Sequence, residues 1–437
     1  MRGKRNLLGA PRAPLAVSGA GLVSAAGVGI ESLRSALDRE RSGLGPLHPT
    51  GEGPTGPWRE EPLDPGGMGG QVPDAALAAW RGLRREDDRA VPLAALALEE
   101  AVRGPGEPVP RTGLAMGTAL GASGAFEVLL GREGAEEIDV LGEPSIGFEA
   151  YLARLAECLD DALGGRGASP EPLSIFSMTC VSGLCALEQA AADIALGRAD
   201  RMLVGGADTL TAFMYGGFHA LSALSRSGRL RPFDTKHDGI LIGEAGAFIA
   251  VEPLDRARAR GALPAGVIAG QRLVSDAIHM TSPDIEGKAM ARAIRGALDD
   301  AGLGANDIGC ITVTAAGSAV YDRMQSAAVE RALGPEAAAS IPVTTWESAT
   351  GHALAATGIL GIVHALLVLR SGRMTPLPAP EEPDPACRIR PVTGAPRALG
   401  SPCVLALTVG FGGQNGASVV TSPDLAADIA GGRGGAP

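Results

Sequence analysis

The stretch Ser177-Met-Thr-Cys-Val-Ser-Gly-Leu-Cys-Ala-Leu187 decides how the rest of this chain is read. Before it runs Leu173 to Phe176, an apolar segment of strand length. After it, Leu184, Leu187, Ala191 and Ile194 fall on one helical stripe, which ends near Gly197 as a C-cap glycine would end it. Cys180 therefore stands at a strand-to-helix junction, where the free amides and the dipole of a helix N-terminus favour a thiolate. Gly183 leaves room for a close helix neighbour. Without context a cysteine is more often an inert buried thiol than a nucleophile, so its surroundings have to decide.

Outward from this junction, Leu15 to Ser18, Met202 to Val204, Ala247 to Val251, Ile308 to Val313 and Val404 to Val409 read as buried strands. They alternate with Ala-rich helical patterns, which predicts α/β layers around a mostly parallel sheet. The apolar run Ile359 to Leu369 contains His364 and is too short to span a bilayer, so it reads as a buried helix. Many Pro and Gly between Gly43 and Gly70 suit a surface excursion. Residues 1–13 and 424–437 lack periodicity and are expected to be mobile tails.

The 437 residues suffice for two domains or for one duplicated α/β domain. Lys and Arg number 38 against 49 for Asp and Glu, and the formal charge of −11 argues against nucleic acid as a main partner. The six cysteines, Cys158, Cys180, Cys185, Cys310, Cys387 and Cys403, form no CxxC pair and no regular spacing. No zinc knuckle or disulfide framework is expected, and a reducing cytoplasm fits. At the N-terminus, Pro11 and Pro14 arrive before any apolar run of signal-peptide length.

Further motifs follow Cys180 in order: Val204-Gly-Gly-Ala-Asp208, Arg231-Pro-Phe-Asp234, Asp238-Gly-Ile-Leu-Ile-Gly-Glu-Ala-Gly246, Ser275-Asp-Ala-Ile-His-Met-Thr-Ser-Pro283, Thr350-Gly-His352 and Gly410-Phe-Gly-Gly-Gln-Asn-Gly416. With the opening Val17-Ser-Gly-Ala-Gly-Leu-Val23, these closely resemble the β-ketoacyl-acyl-carrier-protein synthases, condensing enzymes of the thiolase superfamily, over about residues 14 to 422. The resemblance implies a duplicated thiolase fold in five αβαβα layers, with halves at 14–256 and 257–423, and a homodimer. It implies that Cys180 accepts an acyl group from the phosphopantetheine thioester of an acyl carrier protein, with no bound cofactor or metal. Phe411 takes the place of an aromatic gate beside the acyl pocket, with Gly412 and Thr281 nearby, and amides near Cys180 and Phe411 would form an oxyanion hole. Asp238 and Glu244 resemble structural polar residues of the family.

Two departures matter for mechanism. The family normally brings two histidines and a lysine to this cysteine, and His352 matches the second histidine, with Gly358 anchoring the helix that follows. The first histidine normally opens a His-Gly-Thr-Gly-Thr run, where this chain has Thr314-Ala-Ala-Gly-Ser318, placed by Gly317 and Asp322. The lysine, five residues before the surviving histidine, corresponds to Glu347. Thr314 can donate a hydrogen bond but cannot carry positive charge. If Glu347 faces the pocket, it repels a malonyl carboxylate by roughly 4 kcal/mol at about 4 Å and an effective dielectric of about 20.

Decarboxylative elongation is thus disfavoured, while retention of Cys180 argues against a purely structural chain-length-factor-like subunit. The pattern is similar to divergent standalone ketosynthases of specialised metabolism, including those that close γ-lactam-β-lactones. The chemistry expected is acyl loading, deprotonation beside the thioester, aldol attack on a pendant carbonyl, and capture of the thioester by the new alkoxide. In it Cys180 is nucleophile and then leaving group, His352 assists the sulfur or holds the thioester oxygen, Thr314 orients substrate, and Glu347 is a candidate base. An elongating synthase with substituted helper residues and a non-catalytic partner subunit remain alternatives. Two basic clusters, Arg256, Arg258 and Arg260, and Lys288, Arg292 and Arg295, are candidates for carrier docking, although solvated helix charge is the better explanation of either.

Overall fold

The computed structural model describes residues 13–47, 52–53, 56–57, 67–83, 87–103, 109–121, 123, 148–165 and 170–430. In its main sheet, ten strands fall into two sets of five with one shared order. The first set is β1 (Leu15–Ser24), β2 (Thr112–Gly117), β3 (Leu173–Phe176), β4 (Arg201–Asp208) and β5 (Ala245–Pro253). They lie in the order β3-β2-β4-β5-β1, with β2 parallel to β3 and β4 and the other pairs antiparallel.

The second set is β6 (Gly266–Ser275), β7 (Cys310–Thr312), β8 (Pro342–Thr344), β9 (Cys403–Gly410) and β10 (Gln414–Thr421). They lie as β8-β7-β9-β10-β6 with the same pattern of directions, and β1 joins β6 antiparallel. Even the register irregularities repeat, between Val17 and Gly19 in β1 and between Ile268 and Gly270 in β6. At both bulges a helix backbone presses on the strand: a Cβ on Gly19 would stand 2.0 Å from the Ala101 carbonyl oxygen, and one on Gly270 2.0 Å from that of Ala297. Only glycine fits such an approach.

Helices α1 (Ala90–Val102) and α2 (Phe148–Ala162) cover the outside of the first half. Between the halves lie α3 (Ser182–Ala195) and α6 (Thr357–Ser371), while α4 (Lys288–Ala301) and α5 (Ala319–Leu333) cover the outside of the second half. This is the five-layered, duplicated thiolase arrangement expected from the sequence. Helix α6 is buried from Thr357 to Val368. Leu354–Ser371 is long and apolar enough to cross a membrane, yet 83% of it lies inside the protein. His364 belongs to that core, with its Nδ1 2.9 Å from Thr312 Oγ1, and burial pushes its imidazole down to about 4.

The C-terminal tail corrects the reading of 424–437 as mobile. Pro423–Ala430 is a helix whose Ala426 is buried and whose Leu425 and Ile429 pack on the second half. Proline fits the first helical turn, and the apolar residues return at helical spacing. The tail expected at 1–13 lies outside the described residues up to residue 12, as do residues 431–437. Within the expected excursion, Gly45–Pro46 pairs with Met68–Gly69.

Candidate active site

Cys180 sits two residues before α3 and is 6% exposed. The turn that delivers it is strained, with Thr179 at a φ of 50°. Ser182 locks that turn: its hydroxyl donates to the Thr179 carbonyl at 2.5 Å and accepts from the Met178 amide at 2.8 Å. The two central helices then meet through small residues. A Cβ on Gly183 would stand 2.9 Å from the Ala355 carbonyl oxygen, and one on Gly358 2.5 Å from Leu184 Cγ. Their N-terminal ends are thereby brought together, one leading in from Cys180 and the other from His352.

His352 is held by its own backbone. Its amide donates to the Leu241 carbonyl at 2.7 Å, and its carbonyl accepts from the Gly243 amide at 2.9 Å, so the Asp238–Gly246 motif grips it on both sides. Its Nδ1 lies 2.8 Å from Glu347 Oε1, which leaves Nε2 for the sulfur. Burial alone would drive this ring toward neutrality, but the charge of Cys180, a hydrogen bond to Cys180 and the Glu347 carboxylate overcome it and push the imidazole up to about 10. These partners favour the doubly protonated ring beside Cys180.

Glu347 does not face an open pocket, being 1% exposed. Its Oε1 accepts the Ala315 amide at 3.0 Å and its Oε2 the Ala316 amide at 2.8 Å, in addition to the His352 bond. The loop at 315–316 thus supplies two backbone donors to the buried Glu347 carboxylate. Ala315 takes a φ of 55° to do so. Two sequence expectations change: Glu347 is not placed to repel an incoming carboxylate or to take a proton from substrate, because its oxygens are turned to His352 and the backbone.

Thr314 is also fully buried. Its hydroxyl accepts from the Val409 amide at 3.1 Å, so the side chain joins two strand ends rather than presenting itself to a chamber. Next to Cys180 in the chain, the Thr179 hydroxyl donates to the Phe411 carbonyl at 3.1 Å. A Cβ on Gly410 would stand 3.4 Å from the Cys180 amide nitrogen, so the backbones at 180 and 410–411 are neighbours, as an oxyanion pair requires. The Phe411 ring stacks on Phe218, with centroids 5.3 Å apart. The Gly412 amide is engaged at 2.6 Å by the Met280 carbonyl and so closes a loop instead of serving an oxyanion. Thr281 follows in that loop, and its carbonyl accepts from the Tyr321 hydroxyl at 3.4 Å.

Asp208 is a strut that the sequence motif did not explain. Its carboxylate accepts from the Thr118 hydroxyl at 2.7 Å, the Ala119 amide at 2.9 Å and the Ala355 amide at 2.9 Å, tying the His352 turn to β2. Burial, opposed by these donors, raises its carboxyl to about 6. The raised value means that the charged form costs stability as pH climbs from the ordinary Asp range of about 3.9, and that this form, the better acceptor, is lost below about 6. Activity is expected to fall as pH drops through that point, and Asp208→Asn to lower the rate roughly tenfold while flattening the step. A pH–rate profile checks this; an unchanged step in the variant would assign it to another group.

Models of two families match the chain: β-ketoacyl synthase, N-terminal domain, over residues 12–257, and β-ketoacyl synthase, C-terminal domain, over 265–379. A Streptomyces halstedii protein assigned as polyketide β-ketoacyl synthase 1 is 36% identical over 356 residues, 78% of this chain and 83% of its own length. The tetracenomycin polyketide synthase ketoacyl synthase alpha subunit of Streptomyces glaucescens is 32% identical, covering 77% of this chain and 82% of its own length.

The chain belongs to the β-ketoacyl synthase family.

Among solved structures, the ishigamide ketosynthase/chain length factor matches this chain with a TM-score of 0.80 at 26% identity, covering 94% of this chain and 99% of its own. A type II polyketide ketosynthase in complex with its acyl-carrier protein and bound to a hexaketide matches with 0.77 at 28%, covering 94% and 100%. In the synthase described here, Asp238 accepts from the Ser225 hydroxyl and the Ser227 amide, both at 2.8 Å, and fixes a turn. Glu244 is buried against Arg89 at 2.6 Å and takes the Val72 amide at 2.8 Å. Both tie neighbouring backbone segments together. Among the described residues no cluster of three or more His, Cys, Asp or Glu could hold a metal ion.

Sequence reasoning missed Phe218, Asp208 and Tyr321 at this synthase's site. No periodic pattern marks any of them, although Asp208 closes a quoted motif. Of the basic clusters, the first is spent within the protein: Arg256 pairs with Asp200, Arg260 with Glu252 at 2.6 Å, and Arg258 with the Pro423 carbonyl at 3.0 Å. The second begins beside the 276–287 loop. There Arg292 and Arg295 reach the carbonyls of Ser275 and Arg331, and Ile278 and Met280 are 64% and 81% exposed.

Proposed function

We propose that this β-ketoacyl synthase takes an acyl chain from a carrier-protein thioester onto Cys180 and then closes the chain on itself, without decarboxylative elongation. The observation that carries this reading is Glu347 sealed beneath His352 by the two amides of the 315–316 loop. In one stroke the site gains a Cys–His–Glu relay suited to thioester exchange and loses the second imidazole and the ammonium that would favour carbon dioxide loss.

The steps balance as follows. The Cys180 thiolate attacks the thioester carbonyl, the amides of Cys180 and Phe411 hold the oxyanion, and the departing pantetheine thiolate takes the proton from His352. Neutral His352 then removes a proton from the carbon beside the new thioester. The enolate attacks a pendant carbonyl, and the resulting alkoxide attacks the thioester carbon, which expels the Cys180 thiolate beside a reprotonated His352. Because the new oxygen is two carbons from the thioester carbonyl, the ring closed is four-membered, a β-lactone.

Among the described residues strand β3 ends the sheet with one edge unpaired, its four residues are only half-buried, and the neighbouring Met178 is 44% exposed. Such an edge calls for a cover, and a second copy of this chain is the reading adopted. For the carrier, the cluster at Lys288, Arg292 and Arg295 is favoured because it adjoins the site's own loop. Arg292→Glu with Arg295→Glu is expected to raise KM for a carrier-bound substrate at least about tenfold at low salt and to leave a pantetheine thioester unaffected. Equal effects on both substrates would remove the docking role.

The deciding experiment supplies malonyl carrier protein to the acylated enzyme. Carbon dioxide release roughly a hundredfold below that of an elongating relative is expected. Release at the relative's rate would restore elongation, and failure of any acyl group to load would favour a non-catalytic subunit.

A further inference from the structure

Around the sulfur, contacts form an almost closed ring: Cys180 to His352, His352 to Glu347, Glu347 to the 315–316 amides, Thr179 to Phe411, and Gly412 to Met280. One side chain completes it. Tyr321, the third residue of α5, stands where the 314–318 loop enters the helix, and its hydroxyl reaches the Thr281 carbonyl next to Met280. We propose that Tyr321 is a catalytic residue of the ring-closing half-reaction, its phenol donating a hydrogen bond to the pendant carbonyl oxygen as that oxygen becomes an alkoxide.

Three observations carry this. The bond from Tyr321 to Thr281 is 3.4 Å long, near the limit for an O–H donor, so the proton is held in place but not consumed. Beyond the Cys180 and Phe411 amides assigned to the oxyanion, several donors of these loops are committed: the amides of Ala315 and Ala316 to Glu347, the Gly412 amide to Met280, and the Gln325 side-chain amide to the carbonyls of Thr314 and Tyr321. The phenol also stays protonated, since burial and the negative charges of Cys180 and Asp276 raise its pKa. A phenol that keeps its proton is a donor rather than a base.

The inference rests on the cyclising reading above and adds the group that receives the developing charge. When the enolate carbon bonds to the pendant carbonyl carbon, the π electrons move onto oxygen. A hydrogen bond from Tyr321 stabilises that oxygen without transferring the proton, so the alkoxide keeps the electron pair it needs to attack the thioester. Full protonation would give a hydroxy-thioester and stall the release of Cys180.

The test separates the two half-reactions by intact mass, using an acyl-pantetheine that carries a pendant aldehyde or ketone. In Tyr321→Phe the adduct on Cys180 is expected to form within about threefold of the wild-type rate and to leave about 10- to 100-fold more slowly, so that acyl-enzyme accumulates. Adducts leaving both proteins at the same rate would overturn the role of Tyr321 and leave the cyclising reading standing. No adduct on the wild type would overturn both. If Tyr321→Phe does not fold, fluorotyrosines at position 321 serve instead, since they change phenol acidity at nearly constant size. Release that follows acidity is expected, and release indifferent to it would reduce Tyr321 to a packing residue.

Discussion

Cys180→Ala is expected to take no acyl mass from an acyl-pantetheine and to lower turnover by at least about four orders of magnitude. Nothing else in the ring can replace the sulfur. Cys185, five residues on, has its thiol pushed up to about 11 by burial, and its sulfur lies 3.4 Å from that of Met178. Cys185→Ala is therefore expected to load normally. The Cys180→Ala protein should stay folded, since one small buried side chain is shortened by one atom, at about 1 kcal/mol.

A second readout ties the result to mechanism. The Cys180 charge and its hydrogen bond are among the influences that lift His352 to about 10, so in Cys180→Ala the imidazole should titrate lower. NMR titration of that ring distinguishes loss of a partner from general damage. An adduct retained by the variant would place the nucleophile elsewhere.

Glu347→Gln is expected to slow acyl loading about a hundredfold, equivalent to about 2.7 kcal/mol of barrier. The carboxylate accepts from three donors, His352 Nδ1 and the amides of Ala315 and Ala316. Glutamine offers one oxygen and one NH2 group, so at least one donor must face another, which costs about 1–3 kcal/mol of stability. Loss of the charge also removes one of the supports for the His352 proton.

The direction with pH follows from that proton. A histidine raised in the folded state contributes stability that is complete below its ordinary value near 6.5 and is lost as pH passes the raised one, here about 10. In Glu347→Gln the alkaline fall in both stability and loading should therefore move to lower pH. Loading rates and melting temperatures measured across that range check it, and an unmoved alkaline limb would unlink the carboxylate from the imidazole.

Much of the architecture was legible because the decisive elements carry plain signals. The turn at Cys180, the buried strand at Val404 to Val409 and the apolar helix after Gly358 each combine period, length and a glycine boundary. Strands such as Thr112–Gly117 and Gln414–Thr421 were not legible. They are rich in Gly, Ser, Asn and Thr, and their extended form rests on ladder partners distant in sequence. At the site, the identities at positions 314 and 347 could be read, but their direction could not. Glu347 meets His352 only because the chain reverses at Gly351, with a φ of 73°, and the Leu241 and Gly243 backbones hold the turned segment. Tyr321 gave no sign, since its reach to the Thr281 carbonyl depends on how the 314–318 loop enters α5.

The most direct measurement follows the wild-type enzyme with a single equivalent of acyl-pantetheine bearing a pendant carbonyl, in heavy-oxygen water, by intact mass and product analysis. An adduct on the Cys180 peptide should rise and decay without malonyl carrier protein, releasing a lactone that contains no solvent oxygen. An adduct that persists until malonyl carrier protein is added, and then leaves with carbon dioxide, would contradict it.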